Sequence, residues 1–234
     1  MSHRLFVTGT DTGVGKTAVS AGLLRAWGDA GYRTAGMKPV ASGCARTGDG
    51  LRNADALALM AAMTEPAPYE AVNPVALEPA IAPHIAAGEA GVTLDAHTLA
   101  AAAGRLPPAD LLVVEGAGGW RVPLGPEETF ADIARHLRAE VVLVVGIRLG
   151  CINHALLTAE AVHADGLALA GWVACCVEPA VDRREAQLAT LAQRMEAPCL
   201  GIVPYLGEVA PAAVAGILQR AGGVPERPSP SPPA

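Results

Sequence analysis

Residues Gly9 to Thr17 read Gly-Thr-Asp-Thr-Gly-Val-Gly-Lys-Thr and follow the apolar run Leu5-Phe6-Val7. Small residues, then Gly-Lys-Thr, then a helical pattern make a phosphate-binding loop. In such a loop backbone N–H groups and a helix N-terminus converge on anionic oxygens. Lys16 adds a cation at the β- and γ-phosphates, and the Thr17 hydroxyl adds a ligand for Mg²⁺. The strict pattern places its first glycine where Thr10 stands. Gly9 comes one residue early, so the loop is a variant. The chemistry it predicts is that of a nucleoside triphosphate.

Three more segments have residues suited to the same site. Lys38-Pro39-Val40-Ala41-Ser42-Gly43 follows a short apolar run. A second lysine beside Lys16 is costly unless it faces dense negative charge; the alternative is a solvated loop lysine. Glu115 ends the run Leu111-Leu112-Val113-Val114, where phosphate-loop enzymes carry a Mg²⁺ carboxylate. The alternative is a plain strand-terminal acid. The glycines after it, Gly116, Gly118 and Gly119, let the main chain approach a small ligand closely. Asp55 lies near a helix start, as macrodipole complementarity or as a second Mg²⁺ ligand.

These residues need elements to position them, and the apolar pattern supplies strands alternating with helices. Strands are expected at 4–8, 34–38, 110–115, 141–147, 169–177 and 199–203. Helices are expected at 17–30, 53–63, 95–106, 129–138, 153–164 (capped by Asn153), 182–196 and 210–220. Residues 64–93 are Pro-rich and read as irregular, with a short helix near 84–88. The strand runs are continuously apolar, as in strands covered on both faces. The expected fold is therefore α/β: a single-domain P-loop NTPase-like fold over residues 1–221, with a mostly parallel central sheet and helices on both faces. Ligands then sit outside the carboxyl ends of the strands. The chemistry-bearing loops do follow strands one to four, the fourth loop running from Gly146 to Asn153. Residues 222–234, rich in Pro and Ser, read as a disordered tail.

Composition narrows the partners. The chain has 234 residues, a net charge of −6 and five cysteines. The acidic balance argues against nucleic acid as the main partner. No segment approaches the ~20 continuous apolar residues of a membrane span, and no signal peptide is evident. The odd cysteine count without metal-type spacing reads as reduced thiols in the cytoplasm.

Taken in order, several segments resemble the dethiobiotin synthetases of biotin biosynthesis. They are the variant phosphate loop, Gly36-Met37-Lys38-Pro39-Val40-Ala41-Ser42-Gly43, Asn53-Ala54-Asp55-Ala56-Leu57, Asn73-Pro74, Ala82-Pro83-His84, Val114-Glu115-Gly116-Ala117-Gly118-Gly119-Trp120, Leu149-Gly150-Cys151-Ile152-Asn153-His154 and Gly171-Trp172-Val173. The likeness runs from about residue 3 to about 208. It implies closure of a cyclic urea on diaminopelargonate with CO₂ or bicarbonate, driven by ATP with Mg²⁺, in a homodimer. One amine captures CO₂ as a carbamate, ATP phosphorylates the carbamate, and the second amine expels phosphate.

By the same resemblance Lys16, Lys38, Thr12 and Ser42 are catalytic. The nucleotide is held by Gly13, Val14, Gly15, Lys16, Thr17, Ala18, Asp55, Glu115, Gly116, Ala117 and Gly118. Around its base lie Cys175, Cys176, Pro204, Tyr205 and Leu206. Thr17, Asp55 and Glu115 hold Mg²⁺. Substrate meets Thr12, Lys38, Ser42 and Gly118, and its distal carboxylate meets Gly150, Cys151, Ile152 and Asn153 of the neighbouring subunit. Without the resemblance, that last segment is an ordinary Asn-capped helix start.

Two departures stand out. The family usually supplies an Asn that reads adenine where Cys175-Cys176 stand, and often a Glu where Gly13 stands. A thiol does not replace an amide's donor and acceptor. Two other classes share such loops. Partitioning-type ATP switches carry an extra loop lysine, whereas Thr10 and Asp11 stand here. Amide synthetases of the cobyrinate type need a glutaminase domain, for which no room follows residue 208.

Overall fold

The computed structural model describes residues 3–205 and 211–222. In chain order the strands are β1 (His3–Gly9), β2 (Thr34–Met37), β3 (Val40–Ala41), β4 (Ala45–Thr47), β5 (Gly50–Arg52), β6 (Val75–Ala76), β7 (Leu111–Gly119), β8 (Glu140–Ile147), β9 (Leu169–Cys176) and β10 (Cys199–Val203). The helices are α1 (Lys16–Asp29), α2 (Ala54–Ala62), α3 (Tyr69–Val72), α4 (Pro83–Glu89), α5 (Ala96–Ala101), α6 (Phe130–Leu137), α7 (Cys151–Ala164), α8 (Arg184–Arg194) and α9 (Pro211–Arg220).

Six strands form one sheet in the order β10-β9-β8-β1-β7-β2, and every pairing in it is parallel. The chain places β2 and β7 on one side of β1 and β8, β9 and β10 on the other. This reversal beside β1 opens a crevice at the carboxyl ends, where ligands bind in open α/β sheets.

Alternation along the strands explains the continuous apolar runs. Phe6, Val114, Leu143 and Trp172 face one core. Val7, Val113, Val144 and Val173 face the other. Successive side chains point to opposite faces, so a sheet covered on both sides needs apolar residues at every position. On the second face α1 buries Val19, Leu23, Leu24 and Trp27, and α9 adds Val214 and Leu218. Each such leucine or valine contributes about 1.5–3 kcal/mol through burial.

The expected strands and long helices form with shifted ends, except that the helix expected at 95–106 is α-helical only over α5 and continues as a 3-10 turn at Ala102–Arg105. β7 continues four residues past Glu115, because Gly119 still pairs with Gly9 of β1. The helix expected to start at Asn153 starts at Cys151. Its cap is Gly150, whose φ of 93° suits glycine, and Asn153 lies inside the first turn. In the Pro-rich stretch α3 and β6 join α4; ahead of it β4 pairs with β5 as a small hairpin. Residues 206–210 and 223–234 lie outside the described residues, so the expectations for Leu206 and the tail fall there.

Candidate active site

The phosphate loop is shaped by its glycines. Gly15 caps α1 in the left-handed region with φ of 98°. A Cβ on Gly9 would lie 2.7 Å from Val14 Cγ2 and 2.9 Å from the Asp11 carbonyl, so only glycine lets the loop fold back on itself. The shifted first glycine of the motif thus does its work one residue early. Within the loop Lys16 Nζ donates to the Asp11 carbonyl at 2.9 Å. Asp11 Oδ1 accepts from the Thr12 amide at 2.7 Å, and its other oxygen pairs with Arg148 at 2.5 Å. The Thr12 amide and Arg148 together outweigh partial burial and hold the Asp11 carboxyl below its ordinary value.

Lys38, Asp55, Glu115 and Thr17 converge at one point. Lys38 Nζ donates to Glu115 Oε1 at 2.6 Å, to Asp55 Oδ2 at 2.9 Å and to the Gly116 carbonyl at 3.1 Å. Thr17 Oγ1 donates to the same Glu115 oxygen at 2.9 Å. Burial opposes the charge on Lys38, but Glu115 and Asp55 more than offset it and lift the ammonium above its ordinary value. Burial likewise opposes the Asp55 carboxylate; Lys38, Thr17 and Lys16 outweigh it and hold that carboxyl low. For Lys16 the attraction of Glu115, Asp55 and Asp11 falls short. Burial first, and then Lys38, push it down to about 8.

The Lys38 ammonium therefore faces the two carboxylates expected to hold Mg²⁺. A buried ammonium needs paired charge, and these are the anions within reach. The donor set suits a hard cation. Two carboxylates and a hydroxyl are oxygen ligands, and Glu115 Oε2 is buried with no hydrogen-bond partner among the described residues. A Mg²⁺ ion bound beside it would satisfy that oxygen.

A cavity of about 780 Å³ opens over this point. Thr12, Gly13, Gly15, Lys16, Thr17, Lys38, Ser42, Asp55, Glu115, Ala117 and Gly118 line it, so one space gathers most of the expected residues. A second cavity of about 190 Å³ lies on the other side of the loop, against Gly13, Val14, Gly15, Ala18, Cys175, Cys176, Pro204 and Tyr205. Gly150, Cys151, Ile152 and Asn153 line neither cavity. The Cys151 thiol is buried and donates to Gln187 Oε1 at 3.1 Å, so it offers a ligand no side chain. Arg148 went unnoticed in the sequence. Its signal was a cation directly after a buried strand, on the sheet edge where the other functional loops lie.

The comparisons with known proteins bear on this geometry. A family model described as an AAA domain matches residues 3–213. The ATP-dependent dethiobiotin synthetase BioD of Pseudomonas paraeruginosa is 61% identical over 215 residues, covering 91% of this chain and 94% of that relative. This chain belongs to the dethiobiotin synthetase family. The same-named protein of Marinobacter nauticus is 53% identical over 221 residues, covering 93% and 94%. Among solved structures, the septum site-determining protein MinD of Pyrococcus horikoshii, complexed with Mg-ADP, aligns with a TM-score of 0.53 at 18% identity, covering 97% of this chain and 88% of that one. Cobyrinic acid a,c-diamide synthase of Mycobacterium smegmatis, with bound ADP and magnesium, gives 0.53 at 17% identity, covering 95% and 93%. Both show the P-loop α/β fold. Among the described residues no helix is long and apolar enough to cross a membrane.

Proposed function

We propose that this dethiobiotin synthetase closes the cyclic urea of dethiobiotin from diaminopelargonate, CO₂ and ATP, and that the 780 Å³ cavity is where it does so. The observation that carries the reading is the meeting of the phosphate loop, a second buried lysine and two carboxylates in one space. A carbamate formed on one substrate amine is an anion, and its phosphorylation brings two anionic groups together. Lys16, Lys38 and the α1 N-terminus offset that repulsion. Thr12 and Ser42, on the cavity wall, orient the reacting nitrogen and the carbamate. Asp55, Glu115 and Thr17 would hold Mg²⁺, which would neutralise phosphate charge. With a cation on those carboxylates, the Lys38 ammonium would be free to face the transferred phosphoryl group. No strong general base is required, since the free amine captures CO₂ itself; positioning and charge do most of the work.

The nucleotide base lies in the 190 Å³ cavity between the phosphate loop and the ends of β9 and β10. Gly150 to Asn153 serve a second subunit, which agrees with their place away from this chain's own cavities. One α/β domain over residues 1–221 carries all of this. The five cysteines are free thiols, in keeping with a reducing, cytoplasmic setting.

The test is phosphate release measured with each substrate omitted in turn. Release should require both diaminopelargonate and bicarbonate. Lys38→Ala should lower turnover at least ~10²-fold, the order expected on removing one donor to a developing anion. Near-normal turnover would sink the role of Lys38. Release stimulated by DNA or membranes, with no need for the diamine, would point to a positioning switch instead.

A further inference from the structure

Lys38 is held at both ends, and the groups that hold it form a closed circuit. Its main-chain carbonyl accepts from Asn73 Nδ2 at 2.7 Å. Asn73 Oδ1 accepts from the Tyr69 hydroxyl at 2.9 Å. The same hydroxyl accepts from the Asn53 amide at 2.8 Å. Asn53 caps α2, its Oδ1 accepting from the amides of Asp55 at 3.0 Å and Ala56 at 3.2 Å. The Asp55 carboxylate then closes the path on Lys38 Nζ at 2.9 Å.

Each link has a defined direction. The Asn73 amide nitrogen serves the carbonyls of Lys38 and Val75, which turns its oxygen toward Tyr69. The Tyr69 hydroxyl gives its one proton to that oxygen and keeps a lone pair for the Asn53 amide. Arg52 sits over the Tyr69 ring, 4.2 Å from its centroid, and fixes the ring plane. Asn53, Tyr69 and Asn73 are all buried. A fully satisfied buried network has few alternative arrangements, because each broken link leaves two polar groups unpaired.

We propose that Tyr69 and Asn73 are positioning residues for ring closure. They fix the main chain of Lys38 against the first turn of α2 and so set the span between the Lys38 ammonium and the Asp55 carboxylate. Neither lines the reaction cavity. The inference rests on the roles proposed above for Lys38 and Asp55. Those roles require Asp55 to exchange an ammonium for Mg²⁺ without moving. A carboxylate on a helix end that could swing would lose that registration, and small misplacements at reacting groups are costly.

The experiment titrates free Mg²⁺, buffered and counted apart from the Mg²⁺ that ATP chelates, in the phosphate-release assay of the full chain with diaminopelargonate and bicarbonate saturating, and repeats the titration as Mg²⁺-dependent ADP binding by calorimetry. Tyr69→Phe removes the hydroxyl and both its links. It should raise the Mg²⁺ concentration for half-maximal rate about tenfold, the lower end for residues that orient metal ligands. Asn53→Gly cuts the circuit at the cap, and glycine is well tolerated there, so the test survives if Tyr69→Phe does not fold. A lowered melting temperature with an unchanged Mg²⁺ requirement in either folded variant would show a purely structural role and overturn the proposal. Asp55→Ala separates the two failures. If it raises the Mg²⁺ requirement while the other two do not, the circuit alone is refuted. If it too has no effect, the assignment of Asp55 fails and the circuit falls with it.

Discussion

Lys16 and Lys38 share a cavity but not an electrostatic fate. Lys38 lies against two carboxylates, whereas Lys16 reaches only a carbonyl and falls from 10.5 to about 8. Below pH 8 Lys16 is charged in the folded and the unfolded chain alike, and the folded chain bears the whole cost. Between about 8 and 10.5 the unfolded chain keeps its proton longer, so stability rises with pH across that window. The drop corresponds to about 3 kcal/mol. Lys16→Met keeps the apolar stem and removes the charge, while giving up the bond to the Asp11 carbonyl. Urea unfolding at pH 7 without nucleotide should find it more stable by about 1–2 kcal/mol after that loss. The gain should shrink toward pH 10, and the variant should no longer bind ATP. A variant no more stable than the parent at pH 7 would show that the loop does not strain this lysine.

The ends of β9 and β10 bring two thiols and Tyr205 to the smaller cavity. Cys175 packs beneath the phosphate loop, its Sγ 3.1 Å from where a Cβ on Gly15 would stand. Burial, and then Cys176, push its thiol up to about 12, so it stays neutral and inert. Among the described residues no carboxamide side chain lines this cavity. Sites built to hydrogen-bond a group reject analogues lacking it by ~10⁴-fold or more, and a thiol wall lacks that power. In initial-rate competition CTP, GTP and UTP should therefore serve within about tenfold of ATP. Strict preference for ATP would mean that main-chain groups near Pro204 read the base. These strands were legible because buried parallel strands write themselves as unbroken apolar runs. The Pro-rich connection was not: β3 and β6 are two-residue strands, too short to leave a period. The start of α7 was misplaced because an Asn is a familiar cap, whereas a left-handed Gly150 does the capping. The side chains that meet in the larger cavity were legible one by one. The grip of Lys38 on Asp55 and Glu115 was not, because it joins a loop, a helix start and a strand that lie apart in sequence.

At the scale of the whole molecule, the fold itself decides little. MinD and cobyrinic acid a,c-diamide synthase share it at 18% and 17% identity, and function lies in the loops grafted on the sheet. One loop leads beyond a single chain. Leu149, just before the left-handed Gly150, is 96% exposed, and Leu157 on the following helix is also exposed. Exposed leucines on and before α7 fit the proposed two-fold assembly, in which the α7 N-terminus meets the substrate of the other subunit. The idea has a sharp test in mixed dimers. Lys38→Ala spoils the reaction cavity, and Asn153→Asp sets a negative charge where the substrate carboxylate would dock. Each variant alone should be nearly inactive. Refolded together at equal amounts, half the dimers pair one of each, and one of the two sites in such a dimer draws intact residues from both chains. Activity should return to about a quarter of the parent level. If the mixture stays as inactive as its components, each chain serves only its own cavity, and Leu149 has no part in building the site.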